Sequence, residues 1–96
     1  MDLYRPFFDN NVTPENKKYS VWVMKDHEPK LIHFGDRNMQ HYYDSTDVGL
    51  WHSLDHLDPK RRRSYRARAS GIRDKKNKAT YKDRNSANYW SYHYLW

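Results

Sequence analysis

Apolar and polar positions alternate over residues 19–24, where Tyr19, Val21 and Val23 fall on one side and Ser20, Trp22 and Met24 on the other. A period of two, with β-branched residues on the more apolar side, predicts a strand. Residues 25–30 (Lys-Asp-His-Glu-Pro-Lys) read as a turn, and residues 31–34 (Leu-Ile-His-Phe) as a second strand closed by Gly35 and Asp36. The pair makes a β-hairpin. A lone hairpin is marginal in water, so this one must pack on something. Residues 39–43 (Met-Gln-His-Tyr-Tyr) offer a third strand.

Beyond the hairpin the period changes. Residues 44–57 mix loop formers (Asp44, Ser45, Asp47, Gly49) with Leu50, Trp51, Leu54 and Leu57, whose spacing allows a short helical turn. Asp58 followed by Pro59 is a helix start, because Asp caps well and Pro is pre-organised for the first helical position. The helix is predicted to run from Lys60 to about Ala69, with Gly71 at the position of a C′ glycine. Tyr65 and Ala69, at i and i+4, form its thin apolar stripe. Residues 72–84 read as a polar, basic linker. Asn85 or Ser86 caps a last short helix over 87–95, with Tyr89, Trp90, His93 and Tyr94 on one face. Five of the last eight residues are Tyr or Trp, which predicts a core-forming terminus.

Ahead of the hairpin, residues 1–18 form an extended arm marked by Pro6, Asn10, Asn11 and Pro14. Leu3, Tyr4, Phe7 and Phe8 are too apolar for solvated coil. They either cover the open side of a small core or contact a neighbouring protein. The predicted architecture is therefore α+β: a β-hairpin or three-stranded antiparallel sheet with two short helices, residues 19–96 forming one small domain behind the arm.

Composition narrows the function. The 96 residues include no cysteine, which excludes a disulfide framework or thiolate metal site. No apolar run is long enough to span a membrane. The first residues, with Asp2 and Asp9 and no small-residue cleavage pattern, do not read as a signal peptide. The net charge of +6 is unevenly spread. Residues 1–59 hold six Lys or Arg against ten Asp or Glu, residues 60–84 hold twelve against two, and the last twelve residues carry no formal charge. One block thus carries nearly all the positive field.

That block supplies the main candidate site. Arg61, Arg62, Arg63, Arg66, Arg68, Arg73, Lys75, Lys76, Lys78, Lys82 and Arg84 are suited to an anionic partner, either phosphates or an acidic protein surface. Tyr42, Tyr43, Tyr65 and Tyr81 are candidates for stacking on bases, with packing as the competing fate. His52 and His56, with Asp55 or His41 as a third ligand, share a face if 50–57 is helical, but their spacing matches no closed structural metal pattern. Ser53 and Ser64 have no anchored triad and there is no glycine-rich phosphate loop. The expectation is a binding protein with no cofactor, no resident metal and no enzymatic activity.

Three stretches, in order, add a resemblance: residues 31–36 through Met39 with their Phe-Gly-Asp; residues 56–68, which read His-x-Asp-x-x-Arg-Arg-x-x-Tyr-x-x-Arg; and residues 86–96 with Trp90-Ser91 and Leu95-Trp96. The set resembles a family of small basic proteins of large double-stranded DNA viruses and some phages. The resemblance covers roughly residues 18–96; the arm and the 44–55 loop depart from it. It implies a viral origin, with the protein in the virion, and in host cytoplasm or nucleus before assembly. The leading expectation is a minor capsid or cement-type protein that binds larger shell proteins through its arm and Arg-rich surface. The alternative is a non-specific nucleic-acid-binding protein contacting phosphates through residues 60–84.

Overall fold

A computed structural model describes residues 2–96. The two strands are longer than their apolar centres. Strand β1 spans Lys17–Lys25 and β2 spans Glu28–Asp36, paired antiparallel from Lys17↔Asp36 to Lys25↔Glu28. The turn between them is only Asp26 and His27, not the six residues expected. Both have left-handed φ (52° and 68°), as a two-residue type I′ turn requires, and Asp and His tolerate that region better than most residues.

The predicted core side of β1 holds, although Lys18 and Ser20 on its other side are buried too. Tyr19, Val21 and Val23 of β1 and Ile32 and Phe34 of β2 are buried together, with Tyr19 opposite Phe34 and Val21 opposite Ile32. Helix α2 (Ala87–Tyr94) covers this layer with Trp90, and Leu95 follows it into the core. The Ser86 hydroxyl caps α2 by accepting the Asn88 N–H at 3.1 Å. The aromatic terminus is therefore the lid of the core, as its composition predicted. Gly35, with φ +80°, is required twice over: a Cβ there would lie 2.9 Å from Leu95 Cδ1 and 3.0 Å from Lys18 Cβ.

The sheet has two strands, and residues 39–43 do not add a third. His41 makes a single parallel bridge to Asp55, while the N–H groups of Tyr42 and Tyr43 donate to the Leu95 carbonyl. The backbone groups a strand would need are committed elsewhere. What lies along the free edge of β1 is the arm. Phe7 and Ser20 exchange N–H···O bonds of 2.8 Å, and the Tyr4 N–H donates to the Trp22 carbonyl at 2.7 Å. Tyr4 and Phe8 pack against the core, and the Arg37 guanidinium lies 5.5 Å from the Phe8 ring and 5.1 Å from that of Trp51. Of the two roles open to the arm, the fold uses it to close its own sheet edge.

Helix α1 spans Pro59–Ala69. Asp58 caps it, with one carboxylate oxygen accepting the N–H groups of Lys60 (2.9 Å) and Arg61 (3.4 Å). Gly71 does not supply the left-handed cap expected of it. Ser70 ends the helix in right-handed geometry, and tight three-residue bonds from Gly71 to Arg68 and Ile72 to Ala69 carry the chain away. Residues 72–84 are not a loose linker either. The N–H groups of Lys76 and Lys78 donate to the Asp74 carboxylate at 2.8 and 2.9 Å, and Asn77 turns the chain with φ 62°. A 3-10 turn at Thr80–Lys82 follows, tied to the end of α1 by Asn88, whose amide donates to Ala69 O and Thr80 Oγ1.

Candidate functional site

The basic block divides into two populations. On α1, the residues Arg62, Tyr65, Arg66 and Ala69 follow the i, i+3, i+4, i+7 spacing of an inward face. Tyr65 stacks on Trp96 with ring centroids 4.1 Å apart and planes 7° off parallel, and Ala69 is buried. Arg62 lies over the Tyr42 ring at 4.6 Å and Arg66 over Tyr92 at 4.7 Å. Both donate through Nε to the main-chain oxygen of Trp96, at 2.8 and 3.2 Å. These two arginines pack the helix onto the aromatic terminus: the stems lie along apolar surface and the guanidinium planes cover rings. The stripe is thus wider than its two apolar residues.

The remaining cations face water. Lys60, Arg61, Arg63 and Arg68 are exposed on α1, and Arg73, Lys75, Lys76 and Lys78 are exposed on the loop that leaves its C-terminal end. Lys82 and Arg84 are also exposed, although Arg84 lies 4.0 Å over the Tyr4 ring and Lys82 5.6 Å from that of Tyr81. Among the described residues, no Lys or Arg of 60–84 forms an ion pair with an Asp or Glu. The block's two acids are used locally. Asp74 organises its loop, and the N–H bonds from Lys78 and Lys76 hold its carboxyl below the ordinary value. Asp83 accepts the Asn85 N–H. The loop is therefore shaped by backbone bonds to Asp74 and presents its cations without a direct ion pair.

The stacking candidates fare differently from one another. Tyr65 and Tyr42 are half-buried in the packing just described, and Tyr81 packs on Tyr92 at 4.9 Å. Tyr43 stays exposed, beside His52. Residues 50–57 contain only a 3-10 turn, His52–Leu54, so His52 and His56 do not share a helical face. His52 Nδ1 bonds the Asp55 carboxylate and His56 Nδ1 accepts the Asp58 N–H. Among the described residues, no three His, Asp or Glu side chains are arranged to hold a metal. Leu3, Phe7 and Phe8 are distributed along the hairpin edge, with Leu3 exposed and the two phenylalanines half-buried.

A buried polar cluster was not apparent from the sequence. Lys18, almost fully enclosed, donates from Nζ to the Met39 carbonyl (2.7 Å) and to His41 Nδ1 (2.8 Å). His41 Nε2 then bonds Asp55 at 2.6 Å, and Asp55 also accepts the Asp44 N–H at 2.8 Å. Asp44 accepts from the Tyr19 hydroxyl, from the Thr46 N–H and hydroxyl, and from the Trp51 N–H. Burial lowers the Lys18 ammonium to about 8, partly offset by Asp36, Asp44 and Asp55. Burial and the Lys18 charge hold His41 below its ordinary value. With the Lys18 ammonium donating to Nδ1, Nε2–H is the group that donates to Asp55. Burial pushes Asp55 up, but bonds from His52, the Asp44 N–H and His41 outweigh it and leave the carboxyl low.

The fold defines a small α+β domain whose outward cations over residues 60–84 have no Asp or Glu ion-pair partner among the described residues. No family model matches the chain, and neither a curated protein nor a solved structure is similar to it. No helix among the described residues is long and apolar enough to cross a membrane.

Proposed function

We propose that this protein binds nucleic acid through its phosphate backbone, using the outward cations of α1 and the 73–84 segment. The observation that carries this reading is the absence of any carboxylate partner for those cations among the described residues. Twelve like charges within 25 residues of chain repel one another, and an anion relieves that repulsion. Arg and Lys at a phosphate backbone release condensed counterions, so affinity falls steeply with salt. Titrating the full chain against a labelled duplex tests this. Affinity should drop roughly tenfold or more between low and moderate salt. Failure to bind either duplex or single strands at low salt would sink the proposal.

A structural role in a virus particle is the second reading. Its support is a groove of ≈ 400 Å³ beside the arm, where Pro6, Phe7, Trp22 and Val48 line an apolar floor flanked by Asp2, Arg5 and Asp47, a mixed seat for a larger shell protein. The inward docking of the arm counts against this role, because an arm spent on its own sheet edge has less apolar surface left for a neighbour. The test is the presence or absence of the protein in purified particles, with cross-links from the arm to a shell subunit.

A further inference from the structure

A second groove, of ≈ 320 Å³, lies along one flank of α1. Arg61, Ser64 and Arg68 form one wall at helical spacing, Met39 and Gln40 form the other, and Trp96 contributes apolar surface between them. Lys60 also lines it. This groove sets apolar and aromatic lining beside outward-facing cations.

Its apolar parts are held still. Trp96 is stacked on Tyr65, braced by the His56 ring at 5.1 Å, and anchored at its main-chain oxygen by Arg62 and Arg66. Met39 is 59% exposed, a large apolar side chain set among cations. Gln40 Oε1 accepts from Arg61 Nη1 at 2.9 Å, which orients that guanidinium and leaves the Gln40 amide N–H groups free to donate. A duplex seals its bases in the stack and offers a protein surface chiefly phosphates. A pocket with an aromatic wall beside cations suits an unstacked base whose own phosphates lie within reach.

We infer that this groove is a base-binding subsite for single-stranded nucleic acid, in which a nucleobase lies against Trp96 and Met39 while Lys60, Arg61 and Arg68 hold the flanking phosphates. The inference rests on the nucleic-acid reading above and specifies its substrate: single strands in preference to duplex. The outward loop cations then extend the backbone track.

Binding of the full chain to three probes of equal length at one salt concentration tests it: an oligothymidylate, its abasic counterpart, and a duplex. The oligothymidylate should bind roughly tenfold tighter than the abasic strand, the gain expected when one base packs against aromatic and apolar lining. Met39→Ser should bring that ratio toward one, with thermal melting showing that the variant folds. Tyr43→Ala, which removes the exposed aromatic outside the groove, should leave the ratio unchanged. Equal binding of thymidylate and abasic strands would overturn the subsite while leaving the backbone reading standing. Loss of the ratio in Tyr43→Ala rather than Met39→Ser would also overturn it. No binding to any probe at low salt would remove the parent reading, and displacement by polyglutamate as effective as by oligothymidylate would assign the groove to acidic protein instead.

Discussion

Lys18 and Arg61 carry the same charge and meet opposite fates. Lys18 is enclosed in a cluster whose polar side chains bond one another, and two carboxylates, Asp44 and Asp55, stand within its network. Arg61 is exposed, with a glutamine amide for company. The boundary between closed and open charge runs along α1 itself, where Arg62 and Arg66 face in and Arg61, Arg63 and Arg68 face out. Internal charges must be satisfied within the fold because leaving one unpaired costs several kcal/mol, on the order of 3–5 for a broken buried pair. External charges have water as a fallback. Only the external set has capacity left for a partner.

The largest effect should come from the closed side. Asp44→Ala removes the acceptor of four hydrogen bonds and leaves Tyr19, Thr46 and Trp51 with buried donors unpaired. Stability should fall by about 3–5 kcal/mol in a denaturant titration. A loss below about 1 kcal/mol would mean the cluster is open to water and the contrast with the surface block is false.

The pH dependence follows from the same cluster. Lys18 sits at about 8 in the folded state against 10.5 unfolded. Between those values the unfolded chain binds the extra proton, so stability rises with pH through that window. Tyr19, Tyr65 and Tyr94 work the other way. Burial raises each above its usual value, so above pH ~10 the unfolded state ionises first and stability falls. Melting temperature should therefore climb from pH 8 to about 10 and then decline, a gain of about 2 kcal/mol at its peak. Lys18→Met should abolish the rise. Were the rise to persist in that variant, another group would be responsible.

On α1 the contrast can be read within one helix. Arg62→Ala and Arg66→Ala each remove a ring contact and a bond to Trp96 O, and each should cost about 1–2 kcal/mol with little salt dependence. The smallest stability change belongs to the outward set. Arg63→Ala and Arg68→Ala should move stability by less than about 0.5 kcal/mol while flattening the salt dependence of nucleic-acid binding, the slope falling by roughly one for each phosphate no longer neutralised. If the inward pair proved as neutral to stability as the outward pair, the division of the helix would be wrong.

How far the sequence could be read depended on the range of the forces involved. The hairpin was legible because alternation is a local consequence of strand geometry, and Val21 and Val23 alternate cleanly with Ser20 and Trp22. Asp58-Pro59 and Ser86 were legible because a cap involves residues two or three apart. The third strand expected over 39–43 does not form because the partners of those backbone groups lie at Leu54, His56, Leu57 and Leu95, far along the chain. Gly71 misled because a glycine permits left-handed geometry without requiring it.

The candidate site divides the same way. Composition alone placed the charge at 60–84, since counting needs no structure. It had no means of separating Arg62 and Arg66 from their neighbours, because an arginine that covers a tyrosine and one that waits for an anion are the same residue type. That difference is made by Tyr42, Tyr92 and Trp96, which reach α1 only once α2 has closed the core. Nor did the sequence reveal that Lys18, His41, Asp44 and Asp55 meet, because a buried ionic cluster joins residues distant along the chain that share no local pattern. The sequence by itself determined the hairpin, both helix starts, the aromatic closure and where the positive charge lies. Tertiary packing alone decided which of those charges hold the fold together and which remain open, because burial and counter-charge are properties of position in space.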